Sequence, residues 1–144
     1  MPEPMQPYLI VPAGDMLSCL GARHLAAGAP LGLMPRDRDN AVPCWLFADG
    51  LIRLAGHGDL CLDVRAVHGG AGQACLGTVL AGKLSQHWQW LEQPGVIVND
   101  LYPKLVLDSA DARLTPGNPV QVRARNGAAG QDWTRQAPGT GRGD

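Results

Sequence analysis

Four histidines and four cysteines are the residues of this chain best suited to metal or nucleophilic chemistry, so their spacing is the first question. His24, His57, His68 and His87 form no His-x-His or His-x3-His pair and have no carboxylate in rhythm with them. No zinc ligand set is expected. Cys19, Cys44, Cys61 and Cys75 contain no CxxC pair. They read as buried thiols, with Cys61 and Cys75 the first pair to check for a disulfide. "LDSAD" (107–111) lacks the glycines of a nucleophile elbow. "GHGDL" (56–60) and "VHGGAGQ" (67–73) lack the lysine and following helix of a phosphate loop, so they read as turns. No catalytic residue, metal or cofactor is expected. "SQHWQW" (85–90) is different. Two Trp two residues apart would serve as a stacking platform for a sugar or base, or would fill a buried strand.

What could position such residues is bounded by composition. A chain of 144 residues is long enough for one domain with a continuous core. Its 12 Lys and Arg balance 13 Asp and Glu, which leaves no basic field for phosphates, so nucleic acid is not an expected partner. No apolar run approaches the roughly 18 residues of a membrane helix, and no membrane insertion is expected. The N-terminal "MPEPMQPYLIVPAG" shows no basic, apolar export signal. A cytoplasmic protein, or one exported by a route not encoded in an N-terminal signal, is the expectation. Abundant Gly (19) and Pro (12), with 17% charged residues, suit many short strands joined by tight turns.

The strands repeat. Gln86 and Trp88 return 45 residues on as Gln131 and Trp133; Leu60, Leu62 and Asp63 return as Leu105, Leu107 and Asp108, and Gly72 as Gly117. A more worn copy precedes them, with Trp45 standing 43 residues before Trp88 and Pro43 in place of Gln. The triplets "LIV" (9–11), "LIR" (51–53) and "VIV" (96–98) start the three copies, and Cys19-Leu20-Gly21, Cys61-Leu62-Asp63 and Val106-Leu107-Asp108 follow each at the same distance. The third copy holds four short apolar runs, "VIV" (96–98), "KLVLDS" (104–109), "PVQVRA" (119–124) and "DWTR" (132–135). Alternation in "LVL" and "VQV" is a strand period. Three copies of four strands predict an all-β, closed, pseudo-threefold body of about twelve short strands.

This pattern resembles the ricin-type β-trefoil lectins, the QxW-repeat family. "CLDV" (61–64), a Gly-containing turn and then "QHW" (86–88) carry the resemblance, as do "LVLDS" (105–109) and "QDW" (131–133), with "PCW" (43–45) the degenerate copy. It covers roughly residues 8–136, with repeats of about 8–49, 50–94 and 95–136. A tail over 1–7 and a disordered tail over 137–144, ending in Arg-Gly-Asp, flank it. "MPRDRDN" (34–40) reads as a solvated mixed-charge loop. Gln and Trp two apart on a strand share a face. Trp45, Trp88, Trp133, Gln86 and Gln131 therefore read as structural core, each Gln amide finding partners in the adjoining loop backbone. Trp90 extends the apolar layer, with Phe47 and Arg135 in its place elsewhere.

The resemblance also implies where a sugar would sit. In such lectins an Asp after the second strand accepts from vicinal hydroxyls, helped by a polar third-strand residue, a stacked ring and an Asn near Gln-x-Trp. In the third copy Asp108 and Gln121 match; Arg123 stands where a ring is common, and Gly130 where Asn is expected. Tyr102, in "NDLYPK" (99–104), is the candidate ring from outside the usual position. In the second copy Asp63 is present, while Leu76, Thr78 and Ser85 replace its partners; in the first, Gly21, Gly32 and Met34 leave almost nothing. The implied site is Asp108, Gln121, Arg123 and Tyr102, with Asp63 secondary. Either Asp could instead hydrogen-bond its own turn. The resulting expectation is a non-enzymatic lectin module binding a glycan of galactose or other neutral type through the third repeat. The alternative is a trefoil that has lost sugar binding and serves a protein partner or a homo-oligomer.

Overall fold

The computed structural model describes residues 6–14, 17–36, 43–91 and 95–137. Most of the tail over 1–7, the charged part of the 34–40 loop and the final Arg-Gly-Asp lie outside these residues. The described residues form twelve strands: β1 (Leu9–Pro12), β2 (Ser18–Gly21), β3 (Gly32–Pro35), β4 (Trp45–Ala48), β5 (Leu51–Leu54), β6 (His57–His68), β7 (Ala71–Thr78), β8 (Trp88–Leu91), β9 (Val96–Asn99), β10 (Leu105–Ser109), β11 (Val120–Ala124) and β12 (Trp133–Gln136). Three single 3-10 turns, Leu84–Gln86, Ala110–Ala112 and Ala129–Gln131, interrupt the loops. Among the described residues no helix is long and apolar enough to cross a membrane.

Six strands close on themselves. β4 pairs with β5, β8 with β9 and β12 with β1, all antiparallel. The bridges Tyr8–Trp45, Leu51–His87 and Gly95–Trp133 then link the first and fourth strands within each repeat. Closure leaves the barrel no open edge to protect. The other strands form three hairpins, β2–β3, β6–β7 and β10–β11, which meet through the β7–β11 pairing and the Pro30–Cys75 and Gly32–Pro119 bridges. The result is a β-trefoil.

The core records the threefold repeat in its side chains. Trp45, Trp88 and Trp133 are each at most 1% exposed, packed with Ile10, Ile52, Ile97, Leu20, Leu62 and Leu107. Each indole Nε1 donates to a carbonyl at 3.1 Å: Trp45 to Leu20, Trp88 to Leu62 and Trp133 to Leu107. An indole buried without such an acceptor would cost about 1–3 kcal/mol. Gln86 and Gln131 are also buried and clamp their loops. Gln86 accepts from the Leu80 N–H at 3.0 Å and donates to the Thr78 carbonyl at 2.7 Å. Gln131 accepts from the Asn126 N–H at 2.8 Å and donates to the Ala124 carbonyl at 3.0 Å. Trp90 packs half-buried against this core, 6.5 Å from the Phe47 ring, with the Arg135 guanidinium 5.6 Å from its centroid.

None of the four cysteines forms a disulfide with a described residue. Cys19, Cys61 and Cys75 are buried, and burial pushes Cys19 and Cys61 up to about 11.

Register corrects one part of the sequence alignment. Asp108 lies opposite Gln121, whereas Asp63 lies opposite Cys75, not Leu76. The third-repeat hairpin holds one residue more before its return strand, so the 45-residue offset slips to 46 there. Leu76 therefore belongs to the core and is fully buried, and the counterparts of Gln121 and Arg123 are Cys75 and Gly77. The Gly72–Gly117 identity is likewise not a structural equivalence: Gly72 pairs with Val122 inside β7, while Gly117 precedes β11.

Candidate functional site

Each repeat brings a hairpin strand to the same point beside its core Trp, and the residue there differs: Gly21, Asp63 or Asp108. The first position carries no side chain. A Cβ on Gly21 would lie 2.6 Å from Pro43 Cγ and 2.7 Å from Met34 Cγ, so a larger residue there would have to displace both side chains. An open cleft of about 520 Å³ lies beside it, with Arg23, His24, Met34 and Pro119 in its walls. Among the described residues it holds no carboxylate to accept from hydroxyls.

The second position is occupied from within. Asp63 is 3% exposed. Its Oδ2 takes the Lys83 ammonium at 2.9 Å and the Gln86 amide at 3.2 Å, and its Oδ1 takes the Val64 N–H at 2.7 Å. Burial works to raise this carboxyl's pKa, but hydrogen bonds led by Lys83 outweigh it and hold the group below the usual carboxylate range. Cys75 lies opposite Asp63, and Gly77 leaves its carboxylate room, since a Cβ there would lie 2.6 Å from Oδ2.

The third position holds an aspartate as buried as Asp63, at 4% exposed, but with fewer partners. Asp108 sits near the end of β10, its Oδ2 accepting from Gln121 Nε2 at 2.8 Å across the strand pair. Among the described residues this is the only hydrogen bond its carboxylate takes. Lys83 has no equivalent here, because the residue 45 positions on is Ala128. Gln131 spends its amide on the loop backbone instead of the carboxylate. The two site aspartates thus share a strand position and differ in what already holds them.

Arg123 follows two residues after Gln121 on β11, on the same face by strand alternation, and is exposed. Tyr102 lies half-buried in the loop before β10, packed against the main core, and so at the opposite end of that strand from Asp108. The structure brings Asp108 and Gln121 into contact; Arg123 flanks them. Gly130 has a steric reason for its identity: a Cβ there would stand 2.6 Å from the Ser109 carbonyl oxygen and 3.2 Å from Ala112 Cα. Sequence reasoning missed Lys83. Its signal was a lysine three residues before Gln86 that the third repeat replaces with Ala128.

Residues 9–133 match a family model described as the ricin-type beta-trefoil lectin domain. No curated protein matches the chain. Among solved structures it is similar to the designed threefold-symmetric protein ThreeFoil, at 18% identity and a TM-score of 0.72, covering 90% of this chain and 97% of that one. It is similar to the C-half of the earthworm R-type lectin in complex with GalNAc, at 14% identity and a TM-score of 0.69, covering 91% and 98%. A third is the Macrolepiota procera ricin B-like lectin in complex with lactose, at 17% identity and a TM-score of 0.69, covering 96% and 99%. At these identities the solved structures speak to the fold alone.

Proposed function

Because this chain belongs to the ricin-type beta-trefoil lectin domain family, we propose that it is a non-catalytic module, spanning about residues 8–136, that binds a glycan through its third repeat. The observation that carries this reading is the contrast between its two aspartates. Asp63 already takes three hydrogen bonds, from Lys83, Gln86 and Val64, whereas Asp108 takes one, from Gln121. A carboxylate has about four acceptor sites, so Asp108 retains the capacity to take both protons of a vicinal hydroxyl pair. Gln121 fixes its orientation before a ligand arrives, which lowers the ordering cost of binding. A neutral sugar, of galactose or similar type, fits this chemistry.

Arg123 takes the place of a stacking ring, so less apolar surface is covered and a single site binds weakly. Useful avidity then comes from several copies or a fused partner. A glycan array with the wild type and Asp108→Ala tests the proposal. Binding that the substitution abolishes supports it. Absence of binding to any glycan would sink it and leave the protein-interaction reading, in which the trefoil serves a protein partner or a second copy.

A further inference from the structure

We propose that the third-repeat site continues across the junction of two repeats as a polar track, and that its far end takes the anionic group of an acidic oligosaccharide. This inference rests on the glycan reading above and specifies the ligand class for the same site. Pairing of β7 with β11 joins two hairpins into one sheet, in the order β6, β7, β11, β10. Register places Arg65 opposite Gln73, Gln73 opposite Gln121, and Gln121 opposite Asp108. Opposed residues on neighbouring strands share a face, so the four side chains form one row. Three strand spacings separate its ends, about 14 Å, which is a length for an oligosaccharide and not for one sugar ring.

Both ends of the row are fixed. Gln121 Nε2 donates to Asp108 at 2.8 Å, and Arg65 Nε donates to Gln73 Oε1 at 2.9 Å. In the middle, Gln121 Oε1 and Gln73 Nε2 bond no described residue, which leaves an acceptor and a donor for hydroxyls. Exposure rises along the row, from buried Asp108 through half-buried Gln121 to exposed Gln73 and Arg65. The bulge that follows Arg65, with Ala66 at φ 54, ends the regular pairing, so Arg65 is the last residue of the track.

Charge decides the ligand class. Arg65 forms no ion pair with a described residue, and its only hydrogen bond uses Nε. The terminal nitrogens keep their donors in the planar fork that matches a carboxylate or sulfate. The carboxylate on the same strand face, Asp63, is already neutralised by Lys83. Exposed Arg123, beside Gln121 on this face, adds a second cation. Hydroxyls are expected at the Asp108 end and an anionic group at the Arg65 end.

The test compares a neutral galactoside trisaccharide with its counterpart carrying a terminal hexuronate. Titrations use the wild type, Arg65→Ala, Arg65→Lys and Asp108→Asn, each checked for an unchanged thermal melt. The wild type should bind the acidic probe about tenfold more tightly at low salt, as one charge-assisted pair allows. That preference should shrink in high salt. Arg65→Ala should erase it, while Arg65→Lys keeps part of it, as expected of a point charge without the fork. Asp108→Asn should weaken both probes. Equal wild-type affinity for the two probes, or a preference that survives Arg65→Ala, would overturn the track and leave the lectin reading standing. No wild-type binding to either probe would overturn both.

Discussion

The indole N–H of Trp133 donates to the Leu107 carbonyl at 3.1 Å, and Leu107 is the residue immediately before Asp108. The same bond joins Trp88 to Leu62, before Asp63, and Trp45 to Leu20, before Gly21. Each repeat therefore uses its largest core side chain to hold the backbone beside its site position. The residue in the site can change while the device that places it stays the same.

Trp133→Phe removes that donor and leaves the Leu107 carbonyl buried, so it should cost about 2–4 kcal/mol in urea unfolding. Trp90→Phe should behave differently. The Trp90 indole N–H is buried with no hydrogen-bond partner among the described residues, so its loss forfeits no bond to them and the cost should stay within about 1 kcal/mol. Equal losses for the two variants would contradict the assignment of Trp133 to the core bond.

The Asp63–Lys83 pair predicts a dependence on acid. The folded state holds Asp63 below its ordinary value, so its stabilisation is complete above the unfolded pKa, near 4. That stabilisation is lost as pH falls through the lower, folded value. Lys83→Met removes the largest of the interactions that lower the carboxyl pKa, so that pKa rises and acid unfolding should move to higher pH. Lys83 is 45% exposed, so the loss at neutral pH should be only about 1–2 kcal/mol. Unfolding followed by tryptophan fluorescence from pH 7 to pH 2 checks both points.

Restoring the family's Asn at position 130 should fail. Its Cβ would press on the Ser109 carbonyl and Ala112, both backbone, and backbone cannot swing aside. Gly130→Asn should lose about 1–3 kcal/mol by chemical denaturation and gain no glycan affinity. The second repeat carries Ser85 at the equivalent point. There β6 runs on to His68, whereas the third repeat turns at Ala110–Ala112 and packs that turn on Ala129–Gln131.

The fold was legible because its signals are local. The core Trp and the apolar triplets recur in each repeat, Gln-x-Trp in the second and third, and the four runs of the third copy became β9 to β12. Even the alternation in "VQV" survives as a buried, half-buried, buried pattern. In "LVLDS" it does not, since every residue of β10 is buried, covered outside by Gln121 and the 3-10 turns. What decides the site was less legible. One additional hairpin residue moves Gln121 opposite Asp108 and its counterpart Cys75 opposite Asp63, a slip that a constant offset hides. Lys83 lies 20 residues from the aspartate it occupies, and Gln73 meets Gln121 only because two hairpins pair.

Which aspartate meets the ligand decides whether the third repeat is the glycan site. Amide NMR spectra of isotope-labelled protein, titrated with lactose as a neutral galactoside, test this directly. Shifts should centre on Asp108, Gln121 and Arg123, and should vanish in Asp108→Asn while its spectrum remains that of the folded protein. Shifts centred instead on Asp63 and Lys83 or on Arg23 and His24, or shifts that persist unchanged in Asp108→Asn, would contradict it.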